Sequence, residues 1–546
     1  MLVALDKETL LGDLHKEYPT HNGHRNEVSP GGGIIYDAAL RLKPEDIGRP
    51  DVNLYPIPYM DILVGALKEA GHDKELSKYQ VMTNTVAFGA SVALIDYDFD
   101  TVANTIREGF AGRKAALGEL NVKAARHGYD YMKETFPDGF AYKLHSVPSK
   151  EKRMVIRGVQ AVGIAKFKAG CGLQTYYPIT PATDESEYLE SRQKEHNIVV
   201  VQTEDEISAF LMATGAAHAG VRAATSTSGP GFSLMAEGLG WAGITEAPGP
   251  VVILYQRTGP STGLPTRTEQ GDLQFVIHAG HGEFPRMVFA PGDVVECFHD
   301  TFEAFNYAER FQMPVVVLAD KYLASSYRTV PILDTGGLRV ERGQILTESD
   351  LASRSAYRRY ELTPLGVSPR TVPGTRGGIF HTTGDEHDEL GHITENSENR
   401  VKMMQKRMRK LQLAAEYIPD SKKVNFLGPQ EADVTLVSWG STKGPLIDGM
   451  QDLEGDAIRC NFLQVRCMSP FPSELVAKYL SRAKRKVLVE NNYSGQLGAL
   501  IREHTGIAMD YKVLKYNGRP FSQNEVYEGV KEATQNGLRE VVMAHA

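Results

Sequence analysis

The sequence predicts a multidomain α/β protein built on parallel sheets, and three observations predict it. Apolar runs of strand length (Val199 to Gln202, Ala223 to Ser228, Pro250 to Arg257) alternate with segments of helical spacing. Each run ends in a turn crowded with acidic residues or with Gly, Pro, Ser and Thr, the place where open parallel sheets collect their ligands. The same rhythm returns after Asp433, past a stretch that lacks it.

The central stretch runs from Val199 to Leu273. Its first strand closes on acidic residues ending at Glu206, ahead of a helix rich in Ala and Gly from Met212 to Gly220. The turn Ser228-Gly229-Pro230-Gly231 opens the next helix: Pro230 suits a first turn, and the two glycines let backbone N–H groups approach a ligand or another chain. After the Pro250 to Arg257 strand comes a loop dense in Gly, Pro, Ser, Thr and Arg, Arg267 among them. Glu206, the Ser-Gly-Pro-Gly turn and the Arg257 loop are therefore expected on one rim of one sheet. Read by itself, Glu206 is equally a helix-start glutamate facing the helix dipole.

With 546 residues the chain has room for three or four domains, and 42% hydrophobic with 23% charged residues is ordinary for a soluble globular protein. A net charge of −8 argues for neither nucleic acid nor a membrane surface as a partner. No apolar run reaches the length of a spanning helix and Met1 to Lys7 lacks a leader pattern, so a cytoplasmic location is expected. Cys171, Cys297, Cys460 and Cys467 are scattered, with no pair spaced for zinc or an iron–sulfur cluster, and read as reduced and structural.

Residues 1–145 form a first α/β unit, with a strand at Leu2 to Leu5, a turn and strand at Pro30 to Asp37, and helices at Asn84 to Leu94, Thr101 to Leu117 and Asn121 to Glu134. Gly31 to Gly33 precedes a strand instead of opening a helix, the wrong context for a phosphate cradle. Thr135 to Arg153 is a linker broken by Pro137, Gly139 and Pro148. Residues 154–335 hold the central sheet, entered through a helix at Gly158 to Lys168 and a strand at Gln174 to Tyr177. That strand leads into Tyr177-Pro178-Ile179-Thr180-Pro181, where Pro181 forces Thr180 out of the α region at a strand end. A helix at Val294 to Gln312 and a strand at Pro314 to Asp320 complete the series.

Residues 336–429 are less regular. Asp385, His387, Asp388, Glu389 and His392 carry metal-ligand chemistry, but their spacing matches no known site and no metal is assigned to them. Asn396 to Ile418 is expected to be a long helix bridging two domains, packed by its Met and Leu stripe with Lys402, Lys406, Arg407, Arg409 and Lys410 solvated. Residues 430–546 resume the α/β pattern with strands at Asp433 to Trp439, Ile458 to Val465 and Lys486 to Glu490, and a turn at Glu490 to Leu497 that enters a helix.

Glu206, its small-residue helix, Thr227-Ser228-Gly229-Pro230-Gly231 and the strand after Pro250 resemble the pyrimidine-binding domain of thiamine-diphosphate enzymes. Tyr177 to Pro181 (YPITP) and Gln256 to Thr266 (QRTGPSTGLPT) resemble motifs of 2-oxoacid:ferredoxin oxidoreductase α chains. Residues from about 430 to 510 are similar to the transketolase C-terminal-type domain of those chains. The pieces ALDKETL, PGGGIIYD and NVKAARHGYDYMK resemble the second half of their γ domain. Such domains usually open on a GGxGxG turn, which this sequence lacks before Leu2, so a partial γ-type domain, truncated or with a misassigned start, is expected.

The resemblance implies Glu206 as the catalytic carboxylate bonded to the aminopyrimidine ring of thiamine diphosphate, with Ser228, Gly229 and Gly231 as further cofactor-binding positions. It implies Thr180 and Arg257 on the substrate's carboxylate, where a guanidinium offers two parallel donors. Arg267 is a candidate for a distal carboxylate, and with the EQGDL continuation it favours 2-oxoglutarate over pyruvate. The sequence contains no GDG and no cluster cysteines, so Mg²⁺ and a [4Fe–4S] cluster are expected on a β-type partner chain. Thiamine diphosphate is then shared between the two chains, coenzyme A takes the acyl group, ferredoxin takes the electrons, and the assembly is an (αβ)2 heterotetramer. The implied reaction is oxidative decarboxylation of a 2-oxoacid to acyl-CoA, or its reductive reverse. The alternatives are a pyruvate or branched-chain version, a thiamine-dependent decarboxylase or carboligase chain, and a non-catalytic assembly subunit.

Overall fold

The computed structural model describes residues 1–13, 23–145, 147–148 and 150–544, and the chain divides into two compact units, residues 1–150 and 151–545. The first unit is a three-stranded parallel sheet in the order Leu2–Ala4, Gly33–Asp37, Asn53–Ile57. The alternation of a strand splits its side chains between two cores: Ile35, Tyr55 and Ile57 pack with the helices, Ile34 and Tyr36 with Leu10 and Ile47. Helices Thr83–Leu94 and Ala115–Thr135 lie in backbone contact, since a Cβ added at Gly89 would stand 1.9 Å from the Ala125 oxygen and one at Gly128 2.2 Å from that of Val86. The helix expected over Thr101 to Leu117 is two helices. Phe99–Gly109 ends before Gly112, whose φ of +70° turns the chain, and the next helix starts at Ala115 and runs on through Asn121.

The second unit holds a two-stranded antiparallel sheet, Arg153–Ile156 with Arg328–Pro331, and two larger sheets. Seven strands run in the order Cys467–Ser469, Met287–Phe289, Val315–Asp320, Val251–Gln256, Ala223–Thr227, Leu173–Tyr176, Val199–Gln202, all pairings parallel except that of Cys467–Ser469. Six strands run in the order Val424–Leu427, Cys460–Val465, Val434–Ser438, Lys486–Glu490, Tyr511–Leu514, Glu540–Val542, parallel except for the first pairing. Val424–Leu427 precedes the boundary expected at 430, and Cys467–Ser469 crosses to the other sheet. One apolar core runs through both, joining Phe210, Leu239, Val252 and Leu318 to Val437, Trp439, Leu463 and Leu488. The strand ends of the first sheet are thereby backed by the second.

The helix after the Val199–Gln202 strand starts at Glu206 and not at Met212, because the Asp205 carboxylate caps it by accepting from the Ser208 N–H at 2.7 Å. The basic helix, Ser397–Tyr417, departs further from expectation: Lys406, Arg407 and Lys410 are buried instead of solvated, while Lys402 and Arg409 are exposed. The Lys406 Nζ donates to Glu246 Oε1 at 2.6 Å, Lys410 pairs with the other oxygen of Glu246, and Arg407 grips Glu386 with two donors. Burial pushes the Lys410 ammonium down to about 7, against the pull of Glu246. Sequence periodicity reports a charged face; it does not report a carboxylate delivered from 160 residues away. In the His387 region, Asp388 accepts from the Leu390 and His392 N–H groups and Glu389 pairs with Arg358. Among the described residues no group of three or more His, Cys, Asp or Glu side chains is placed to hold a metal. No described helix is long and apolar enough to cross a membrane.

Candidate active site

The rim is built from the carboxyl ends of adjacent strands. Thr203 ties the end of Val199–Gln202 to Tyr176 through its N–H at 2.9 Å, and Asp205 then caps the next helix so that Glu206 is its first residue. Glu206 is buried, 6% exposed, and burial raises its pKa, with Asp205 adding to the effect. Its side chain lies against Gly231. A Cβ there would meet Glu206 Oε1 at 2.5 Å and Thr227 Oγ1 at 2.1 Å, so this contact requires glycine.

On the other side of the same turn, a Cβ at Gly229 would meet Asp272 Oδ2 at 2.8 Å. The Ser228-Gly229-Pro230-Gly231 turn is therefore flanked by two carboxyl groups. Ser228 is fully buried at the start of the Gly229–Leu234 helix, and its hydroxyl neither caps that helix nor finds another partner. Arg257 follows the Val251–Gln256 strand. Its Nη1 donates to the Thr180 carbonyl oxygen at 3.1 Å, its Nε has no partner, and burial lowers its pKa. Thr180 thus meets Arg257 through its backbone, and its residue is exposed at the rim.

Below the rim the sheet carries a buried polar network. Lys166 bonds to Glu185, to Gln174 at 2.7 Å and to Ser226 at 2.9 Å, and the Tyr255 hydroxyl donates to Glu185 at 2.8 Å. All five side chains are shut off from solvent.

The Arg257 loop is held by the second sheet. Gln270 donates its N–H to the Asn491 oxygen at 2.7 Å and its side-chain amide to the Trp439 oxygen at 3.0 Å, and its own oxygens accept from Asn491, Asn492 and Thr442. Thr268 bonds to Gly518, and Gln496 reaches Gly271 and Gln274. Arg267 stands in the middle of the loop, its Cβ against the Gly518 turn. The structure therefore brings Glu206, Ser228, Gly229 and Gly231 together, joins Thr180 to Arg257, and sets Arg267 farther along the loop. Sequence reasoning missed Asp272, Glu269 and Gln270, although the EQGDL segment contains all three. Burial, with Asp272 adding to it, lifts Glu269 to about 7; burial lifts Asp272 to about 6 against the pull of Arg257.

A carboxylate over a bare glycine, beside a buried hydroxyl and a guanidinium edge with open hydrogen-bonding capacity, fits the polar ring of a cofactor and an anionic substrate. The chain is of the thiamine-diphosphate-binding class: residues 164–406 match the family model for pyruvate flavodoxin/ferredoxin oxidoreductase, thiamine diP-binding. Residues 1–131 match pyruvate ferredoxin/flavodoxin oxidoreductase, and 422–527 match the transketolase C-terminal domain. The chain is 43% identical over 526 residues to the 2-oxoacid:ferredoxin oxidoreductase subunit alpha of Saccharolobus solfataricus, covering 94% of this chain and 80% of that one. It is 31% identical over 500 residues to the 2-oxoglutarate oxidoreductase subunit KorA of Mycobacterium tuberculosis, 90% of this chain and 74% of that one. Its fold is similar, at a TM-score of 0.82 and 30% identity, to the 2-oxoglutarate:ferredoxin oxidoreductase from Magnetococcus marinus with 2-oxoglutarate, coenzyme A and succinyl-CoA bound, covering 93% of this chain and 85% of that one. The chain belongs to the 2-oxoacid:ferredoxin oxidoreductase alpha-subunit family, oxidoreductases that work with a partner subunit.

Proposed function

We propose that the rim is the pyrimidine end of a thiamine-diphosphate site shared with a β-type partner chain, and that the pair oxidises 2-oxoglutarate in the cytoplasm. In this reading the acyl group passes to coenzyme A and the electrons to ferredoxin, with Mg²⁺ and a [4Fe–4S] cluster on the partner, in an (αβ)2 assembly. Residues 1–145 serve as the γ-type domain, 154–335 as the pyrimidine-binding domain, 336–429 as the connecting segment and 430–546 as the transketolase C-terminal-like domain.

The observation that carries the reading is the Glu206 carboxyl held out of water against Gly231 at the strand ends. There Glu206 would share a proton with the aminopyrimidine ring of the bound cofactor, a role that its raised pKa suits. Thiamine diphosphate, when bound, supplies a carbon nucleophile and an electron sink. Ser228 has an unpaired hydroxyl that would serve the ring, and the bare Gly229 and Gly231 let the Asp272 and Glu206 carboxyl groups close on the turn that would hold it. Arg257, with one nitrogen on Thr180 and its Nε open, receives the 2-oxoacid's carboxylate beside the Thr180 hydroxyl.

The preference for 2-oxoglutarate rests on Arg267 as a cation for the second carboxylate, and on two relatives whose names or bound ligands specify that acid. A partly buried carboxylate left unpaired costs several kcal/mol, whereas the methyl of pyruvate favours an apolar wall. The broader 2-oxoacid name of the Saccharolobus solfataricus relative favours a wider substrate range as the second reading. The test compares kcat/KM for 2-oxoglutarate and pyruvate in the αβ complex, wild type against Arg267→Leu. The expected result is a preference for 2-oxoglutarate that the substitution shrinks by about 10-fold or more, the scale of one charge-assisted hydrogen bond. Preference for pyruvate in the wild type contradicts the substrate reading.

A further inference from the structure

Asp272 occupies an unusual place for an aspartate. It is the residue before the Leu273–His278 helix, where an Asp side chain normally accepts from the first free N–H groups, yet it makes no such bond. Its backbone N–H is held instead by Gln256 Oε1 at 3.0 Å, which turns the carboxyl toward the glycine turn. Its Oδ2 is buried, has no hydrogen-bond partner, and lies where a Cβ at Gly229 would be 2.8 Å away. The neighbouring Ser228 Oγ and Arg257 Nε are also buried without partners.

The charged groups that face Asp272 can be named by element. Arg257 comes from the end of the Val251–Gln256 strand, and Glu269 lies on Asp272's own loop. The start of the Glu206–His218 helix contributes Glu206, beyond Gly231. The Ser228 to Gly231 turn contributes no ionisable side chain, and the turn before the Gln496–Thr505 helix presents neutral Gln496 to Gly271 and Gln274. One guanidinium thus serves a cleft that already holds the Asp272 and Glu269 carboxyl groups, with Glu206 beyond Gly231, before any substrate arrives. A 2-oxoacid adds a further carboxylate. Two carboxylates sharing one cation out of contact with water cannot both stay ionised without penalty, so one of them takes a proton.

We propose that Asp272 is a proton-linked substrate-binding residue: the 2-oxoacid binds at Arg257 together with one proton taken from solvent onto the Asp272 carboxyl, which then donates a hydrogen bond into the site. This rests on the reading of Arg257 as the carboxylate site, but not on which 2-oxoacid is used. The sign follows from linkage. Burial already lifts the Asp272 carboxyl to about 6, so above that pH the free enzyme is ionised there and binding must bring a proton in. Affinity therefore falls as pH rises from about 6 to 8, by up to about tenfold per pH unit. A residue holding only the backbone would leave the affinity independent of pH.

The test measures oxamate, an unreactive mimic of the 2-oxoacid head, binding to the αβ complex by calorimetry between pH 6 and 8 in buffers of different ionisation heat. Wild type is expected to take up close to one proton near pH 7 and to lose affinity steadily with pH. Glu269→Gln, which removes the other carboxyl, lifted to about 7, should keep the uptake, and adding Asp272→Asn to it should abolish the uptake and flatten the profile. Absence of proton uptake in wild type overturns the proposal whether or not the variants fold, and so does a sloping profile in the folded double variant. Arg257→Met separates the two layers of the argument. If it binds oxamate as wild type does, the carboxylate site itself is misassigned; if it weakens binding at every pH while the double variant keeps the slope, only the proton link fails.

Discussion

Two buried polar regions of the same unit are built on opposite principles. Under the Ser397–Tyr417 helix, Lys406 and Lys410 share the Glu246 carboxylate, and Arg222 and Arg370 lie beside Glu309, so buried cations there face carboxylates of their own chain. At the strand ends, Ser228, Arg257 and Asp272 each keep a buried atom with no partner, and Glu206 lies against a glycine whose added Cβ would displace it. A buried polar atom without a hydrogen-bond partner costs about 1–3 kcal/mol, and Arg222 Nε and Arg370 Nε are such atoms too; what differs is that Arg222 and Arg370 lie 3.7 and 3.3 Å from the Glu309 carboxylate, whereas Arg257 is hydrogen-bonded to a neutral carbonyl. Charge that holds the fold is paired internally; charge that waits for a ligand is not.

The largest effect expected on the first side comes from Glu246→Ala, which strands two ammonium groups in the interior. It should destabilise the protein by about 3–5 kcal/mol in urea unfolding of the αβ complex, while the folded fraction turns over a 2-oxoacid near the wild-type rate. A smaller and opposite pattern is expected from Gly231→Ala. The added Cβ displaces the end of Glu206, so turnover should fall by about 100-fold, the scale of a misplaced reacting group, with a smaller loss of stability than Glu246→Ala causes. If Gly231→Ala instead unfolds the protein and spares turnover in the folded fraction, the division between the two regions is wrong.

The parallel sheet was legible because apolar runs and breaker-rich turns are local signals. The Asn53–Ile57 strand was missed because Pro56 interrupts its pattern, and Tyr59–Glu69 follows it too closely for a separate start to stand out. At the site, Glu206, the Ser228 to Gly231 turn and Thr180 were legible because each lies within a few residues of the turn that positions it. Asp272 was not, since what marks it is the approach of Gly229 from another strand end and a cap bond it does not make. The burial of Lys406 and Lys410 was hidden for the same reason: their partner, Glu246, arrives from a distant loop. Gln270 reads as an ordinary polar loop residue until the 439–442 and 490–496 turns close on it.

The central claim is that Glu206 does acid–base work on thiamine diphosphate, and the most direct measurement is 2-oxoacid-dependent reduction of a viologen dye by the αβ complex carrying Glu206→Gln. The substitution keeps the volume and the buried contact with Gly231 and removes the ionisable proton. The account predicts an assembled complex whose turnover is lower by about two to four orders of magnitude, the range for lost general acid–base catalysis. Turnover within a few-fold of wild type would contradict it.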